Sequence, residues 1–146
     1  MNNFPHFYNR ELKKLREEIA AYPSEESLWL TSGQVKNSGG NLSMHLVGNL
    51  NTYIGARLGG TGYVRDRPFE FAGRGIPKAT LIASIDDVTG VVDRTLSGLT
   101  EADLEKEYPE ETPEGRVSTG HFLLHLAMHL SYHLGQINYH RRLLPF

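Results

Sequence analysis

The 146-residue chain contains no cysteine, which removes disulfides, thiolate metal sites and cysteine nucleophiles together. Any thiol in its chemistry must arrive with a ligand. Long apolar runs are also missing. None approaches the roughly 18 residues of a spanning helix, so no membrane association through such a helix is expected. The opening Met1-Asn2-Asn3-Phe4-Pro5-His6 lacks the basic-then-apolar layout of a secretory signal, which gives a cytoplasmic expectation. Fifteen basic and seventeen acidic residues leave a formal net charge of −2. With no block of lysine or arginine, the concentrated basic face that nucleic acid requires is not expected either.

What is present fits one compact domain over residues 1–146. With 39% hydrophobic residues, a chain of this length buries about two-thirds of its unfolded surface and needs no structural metal to hold a core. A metal ion, if bound, is therefore free to be functional. The sequence shows no convincing two-residue alternation, whereas four segments carry apolar residues at helical spacing.

From about Phe7 to Tyr22, the residues Tyr8, Leu12, Leu15, Ile19 and Tyr22 form one stripe, and Pro23 ends it. The apolar island Leu28-Trp29-Leu30 reads as a short turn. Asn41 or Ser43 then caps a second helix with Leu42, His45, Leu46, Asn49, Leu50, Tyr53 and Ile54 on one side, ending at Gly59-Gly60. Gly60 to Gly75, with Pro68 inside it, reads as a long loop. Pro77 opens a third helix marked by Leu81, Ile85, Val88, Val92 and Leu96, and Gly98 stops it. The acidic stretch from Glu101 to Glu114 reads as a solvated connector. The last helix runs from Ser118 or Thr119 to about Leu143. The expected architecture is an all-α four-helix bundle with a long loop between helices two and three.

Histidine is the compositional outlier, and five of the seven (His121, His125, His129, His133 and His140) crowd the final helix. At about 100° per residue, Phe122, Leu126, Leu130 and Ile137 define its inward face. His129 and His133 lean toward that face, His125 lies at its margin and His121 falls outside. His140 is expected as a capping or surface group near Arg141 and Arg142. Two imidazoles four residues apart on one helical face can share a cation. His45, among the apolar residues of helix two, supplies a third nitrogen donor if the helices face each other. Burying several imidazoles without partners costs kilocalories per unsatisfied group, and a shared ion would satisfy them together. Gln136 beside His129 and Asn49 four residues after His45 are candidates for the hydrogen bonds that orient metal-bound rings. Tyr53 and Tyr132 are candidates to face a pocket. The segment Arg65-Asp66-Arg67-Pro68-Phe69-Glu70-Phe71 admits two readings. Either its own salt bridges tie the loop down, or Arg65, Arg67 or Arg74 receives an anionic group of a ligand.

Two of these pieces, His45-Leu46-Val47-Gly48-Asn49 and His129-Leu130-Ser131-Tyr132-His133-Leu134-Gly135-Gln136-Ile137, resemble the DinB-like superfamily of four-helix metalloproteins. The second matches that superfamily's H-x-x-x-H-x-G-Q-I signature. Leu58-Gly59-Gly60 and the Arg65 to Phe71 segment extend the resemblance over nearly the whole chain. The resemblance implies an up-down-down-up helix order, a frequent homodimer, and a divalent metal held by one histidine of helix two and two of helix four, here His45, His129 and His133. It also implies that some members act with a low-molecular-weight thiol such as bacillithiol or mycothiol, as transferases or isomerases.

The expected function is thus a metal-dependent enzyme for a small-molecule substrate. A zinc, nickel or iron ion, each suited to nitrogen donors, would activate a bound thiol for transfer. Two alternatives stand beside it. One is a hydrolase using metal-bound water, with Glu70 as candidate base. The other is a metal-binding or stress-related interaction module without turnover.

Overall fold

The computed structural model describes residues 1–143. Among them no strand forms, and four long helices make the bundle: α1 (Phe4–Ala20), α2 (Gly39–Leu50), α4 (Lys78–Ser97) and α6 (Thr119–Leu143). Two short helices lie between these, α3 (Arg67–Ala72) and α5 (Glu101–Glu105). Helices α1 and α2 each pack against both α4 and α6, so the core sits among all four.

The apolar stripes become that core. Leu12, Leu15 and Ile19 of α1 meet Ile85, Val88 and Val92 of α4 and Leu126, Leu130 and Ile137 of α6, all essentially inaccessible to water. At roughly 2–5 kcal/mol for truncating a buried leucine to alanine, each is a substantial fraction of a small domain's stability. Buried tyrosines bring their hydroxyls to partners: the Tyr8 hydroxyl donates to the carbonyl of Leu123 at 2.6 Å.

Four local features depart from the sequence reading. The cap of α2 is Ser38, whose Oγ accepts from the Asn41 amide at 3.2 Å, so the helix starts earlier than Asn41 or Ser43 implied. The helix also does not run regularly to Gly59. At Asn51–Ala56 it widens into a π-helical turn, with the Thr52 hydroxyl donating to the Gly48 carbonyl at 2.8 Å. The loop after Gly60 contains α3, started by Asp66, whose carboxylate accepts from the Phe69 amide at 3.2 Å. The acidic connector contains α5, fixed by a reciprocal capping box between Thr100 and Asp103. The island around Trp29 forms a 3-10 turn over Glu26–Trp29.

Candidate metal centre

Helix α2 carries His45 into the bundle, where it is buried, and α6 brings His129 and His133, half-buried, to the same point. The Nε2 atoms converge. His129 Nε2 lies 3.2 Å from His45 Nε2 and 3.1 Å from His133 Nε2, and one ligand atom from each ring falls within 4.8 Å of the others. Two nitrogens bound at about 2.0–2.1 Å to one ion are about 2.8–3.4 Å apart as tetrahedral or adjacent octahedral donors. The observed spacings match that requirement. Nitrogen lone pairs held this close repel unless a proton or a cation lies among them.

The outer nitrogens explain why Nε2 faces inward. His45 Nδ1 donates to Glu70 Oε1 at 3.1 Å, and His133 Nδ1 donates to Gln136 Oε1 at 2.7 Å. Protons on those two Nδ1 atoms leave both Nε2 atoms as acceptors, the tautomer that a metal ligand needs. His129 Nδ1 is buried without a hydrogen-bond partner. The donor set therefore suits a divalent ion by residue type and spacing and, at His45 and His133, by tautomer.

Glu70 is the pivot of this arrangement. It lies on α3, is almost fully buried, and accepts from Arg65 through both oxygens, at 2.8 Å from Nε and 2.8 Å from Nη2. The Arg65 Nη2 and His45 Nδ1 approach within 3.3 Å because both donate to the same carboxylate oxygen. Burial opposes ionisation of Glu70, but the hydrogen bonds from His45 and Arg65 outweigh it and hold the carboxyl below its usual range. Asn41 ties this short helix to α2, donating to the carbonyls of Glu70 and Gly73 at 3.0 and 2.9 Å. Phe71 then packs its ring 4.9 Å from that of His45.

Helix α2 admits the Glu70 side chain only because residue 48 is glycine. A Cβ on Gly48 would overlap the Glu70 carboxylate. Gly48→Ala is accordingly expected to displace Glu70 from His45 and weaken divalent-ion binding by about 10–100-fold, as lost orienting partners do. Metal titration of the variant, with circular dichroism confirming the fold, checks this.

The other site candidates fall as follows. Asn49 is buried, but its Oδ1 makes no hydrogen bond, so Glu70 takes the orienting role that the sequence reading gave to Asn49. Gln136 bonds His133, not His129. Arg65 is committed to Glu70, while Arg67 lies over the Phe71 ring at 5.1 Å and Arg74 donates to the carbonyls of Phe71 and Gly73. The loop is thus tied down by its own contacts. Tyr53 packs edge-on against Phe122 at 5.3 Å, inside an aromatic group with Tyr108. Tyr132 is 66% exposed, its ring 5.4 Å from that of His133. His140 is not a surface group. It is buried, with Nδ1 2.7 Å from the Tyr22 hydroxyl and Nε2 2.7 Å from the Leu30 carbonyl. At about 100° per residue His140 falls close to Phe122 on the inward face of α6, and Tyr22 and Leu30 cover it there. The partnership of Glu70 with His45 was missed because it spans a loop, although an arginine five residues before a glutamate and a glycine in the facing helix were its traces.

Burial, with the neighbouring His133 and His45 imidazoles adding to it, pushes His129 from 6.5 down to about 4. Burial also lowers His133. Because the folded value for His129 lies below the unfolded one, the protein without metal keeps its full stability above about pH 6.5 and loses part of it as pH falls through about 4. Protons compete for His129 only in that lower window. Metal release on acidification is therefore expected only as pH nears about 4 and below, not as pH falls through 6.5, and a dialysis series with element analysis checks it.

The family model of the DinB superfamily matches residues 10–137 of the chain. No curated protein matches it.

Proposed function

From a chain that belongs to the DinB superfamily, we propose a metal-dependent enzyme whose His45, His129 and His133 hold one divalent ion and whose substrate is a small molecule handled with a low-molecular-weight thiol. The observation that carries the reading is the meeting of three Nε2 atoms at 3.1 and 3.2 Å. When bound, a divalent ion at three nitrogen donors supplies a Lewis acid with coordination positions open to a small ligand. The chain's own residues do the rest. Glu70 and Gln136 hold the proton on Nδ1 of His45 and His133. Arg65 keeps Glu70 ionised and in place. Phe71 walls off one side of His45, and the half-exposed His129 and His133 leave the opposite side accessible to solvent.

The absence of cysteine supports the thiol version, since no side-chain thiol competes for the ion. The hydrolase reading named Glu70 as base, and the contacts count against it. A carboxylate occupied by Arg65 and His45 and held below its usual range is a weak proton acceptor.

The test loads the protein with zinc, nickel or iron(II) in turn and titrates small thiols, followed by a screen of electrophilic co-substrates. Saturable thiol binding that disappears in His133→Ala supports the proposal. Stoichiometric metal with no thiol binding for any of the three ions would overturn its thiol part and favour a module without turnover.

No helix among the described residues is long and apolar enough to cross a membrane, and a cytoplasmic setting belongs to the same proposal. So does a homodimer. Its support is an exposed stripe on α6, in which Leu124, Met128, Tyr132 and Tyr139 are 56–66% accessible. Met128→Lys is expected to shift the sedimentation of a dimer toward that of the monomer, whereas an unchanged value would place the contact elsewhere.

A further inference from the structure

A cavity of about 330 Å³ lies between α2, α3 and α4, with Ser43, Met44, Val47, Phe69, Glu70 and Leu81 in its walls. That volume falls at the lower end of what small-molecule sites enclose. We infer that this cavity is a second binding site, distinct from the three-histidine cluster, for a neutral and mostly apolar small molecule that carries a carbonyl group.

The carbonyl is called for by Ser43. Serine and threonine inside a helix can return their hydroxyl to the carbonyl one turn back, as Thr52 does to Gly48 at 2.8 Å, Ser84 to Thr80 at 3.0 Å and Thr89 to Ile85 at 2.7 Å. Ser43 does not. It is fully buried in the second turn of α2, and its Oγ has no hydrogen-bond partner among the described residues. A buried hydroxyl left unpaired costs free energy. A carbonyl oxygen on a molecule in the cavity would accept its proton and remove that cost.

Charge on the walls selects against ions. Among the described residues no lysine or arginine lines the cavity, so a carboxylate or phosphate would lose its water there without meeting a counter-charge. The two acidic side chains in the lining are engaged already: Glu70 holds Arg65 and His45, and Asp66 accepts from the Phe69 amide at 3.2 Å. Met44, Val47, Phe69, Ile76 and Leu81 supply apolar surface for the body of the molecule. The scaffold keeps the space open. Asn41 fixes α3 to α2, and the chain enters and leaves this region through Gly62 and Gly75, whose φ of 75° and 70° are left-handed. Tyr63 and Val64, 38% and 88% exposed, line the cavity on its solvent side and mark the way in.

The experiment is a titration of the untagged full chain followed by amide NMR. Acetophenone is the probe, ethylbenzene and benzoate are the controls, and each is run with zinc and again in EDTA. Acetophenone is expected to bind saturably in both conditions, with the amides of Ser43, Val47 and Phe69 shifting most. Ethylbenzene, which lacks the acceptor, should bind about 5-fold more weakly, and benzoate about 10-fold or more. Ser43→Ala should bring acetophenone and ethylbenzene to one affinity. Thr80→Trp, at an exposed position in the lining, should block both, with circular dichroism confirming each fold. The site is overturned by a wild type that binds acetophenone no better than ethylbenzene, by a preference that survives Ser43→Ala, or by shifts that lie outside the cavity. Binding that requires zinc also overturns it, since the molecule would then sit on the ion. None of these outcomes bears on the buried centre, whose failure is read from zinc binding alone.

Discussion

Replacing His129 by alanine is expected to lower divalent-ion affinity at the buried centre by at least about a hundredfold. Losing a hydrogen-bond partner of a metal ligand already costs about 10–100-fold, and His129 is a donor, central among the three at 3.2 and 3.1 Å from its neighbours. The fold should tolerate the change. The ring is only half-buried, its Nδ1 makes no hydrogen bond, and alanine is the best helix former. The effect is therefore one of binding. Zinc at a hundred times its dissociation constant stabilises the wild type by about 2.7 kcal/mol, and that increment vanishes when the site is lost. Thermal unfolding with and without zinc measures both halves: the metal-free variant melts near the metal-free wild type, and added zinc raises only the wild type.

The second large effect is expected at Glu70. Glu70→Gln keeps the shape but removes the charge that meets Arg65 and the strong acceptor that meets His45 Nδ1. Arg65, 14% exposed, is left as a partly buried cation without its partner. Breaking a buried pair from one side costs about 3–5 kcal/mol, and some contact with water reduces this to about 2–3 kcal/mol here. Affinity for the ion falls as well, by about 10–100-fold, because the His45 ring loses the partner that sets its tautomer and direction. Chemical denaturation reads the first loss and metal titration the second. A variant as stable and as tightly metal-binding as the wild type would remove Glu70 from the account.

The long helices were legible because each writes its buried face as an unbroken stripe. Leu46, Leu50 and Ile54 recur every four residues straight through the π-helical turn, which is why the sequence reads as one regular helix there. A widened turn keeps such a stripe inward and leaves no mark in the period. The short helices α3 and α5 had their caps in view, Asp66 ahead of Pro68 and the pair Thr100 and Asp103. Glycine and acidic composition around them argued more loudly for loops than five or six residues could for helix.

The candidate site divides along the same line. His129 and His133 share a helix, so a fixed rotation per residue puts them together, and His45 follows from the apolar neighbours on its own helix. Glu70 meets His45 from 25 positions away, through a loop whose path depends on Asn41, Arg65 and the missing side chain of Gly48. No local period encodes such a closure. His140 was expected as a capping or surface group, and its burial rests on Tyr22 and Leu30, which lie 118 and 110 positions away in the chain.

The central claim is that His45, His129 and His133 together hold one ion. X-ray absorption on the protein loaded with less than one equivalent of zinc counts the donors directly. Three imidazole nitrogens at about 2.0–2.1 Å, with the remaining positions filled by light atoms, are the expected result. A shell with fewer than three imidazoles, or one unaltered in His45→Ala, would contradict it.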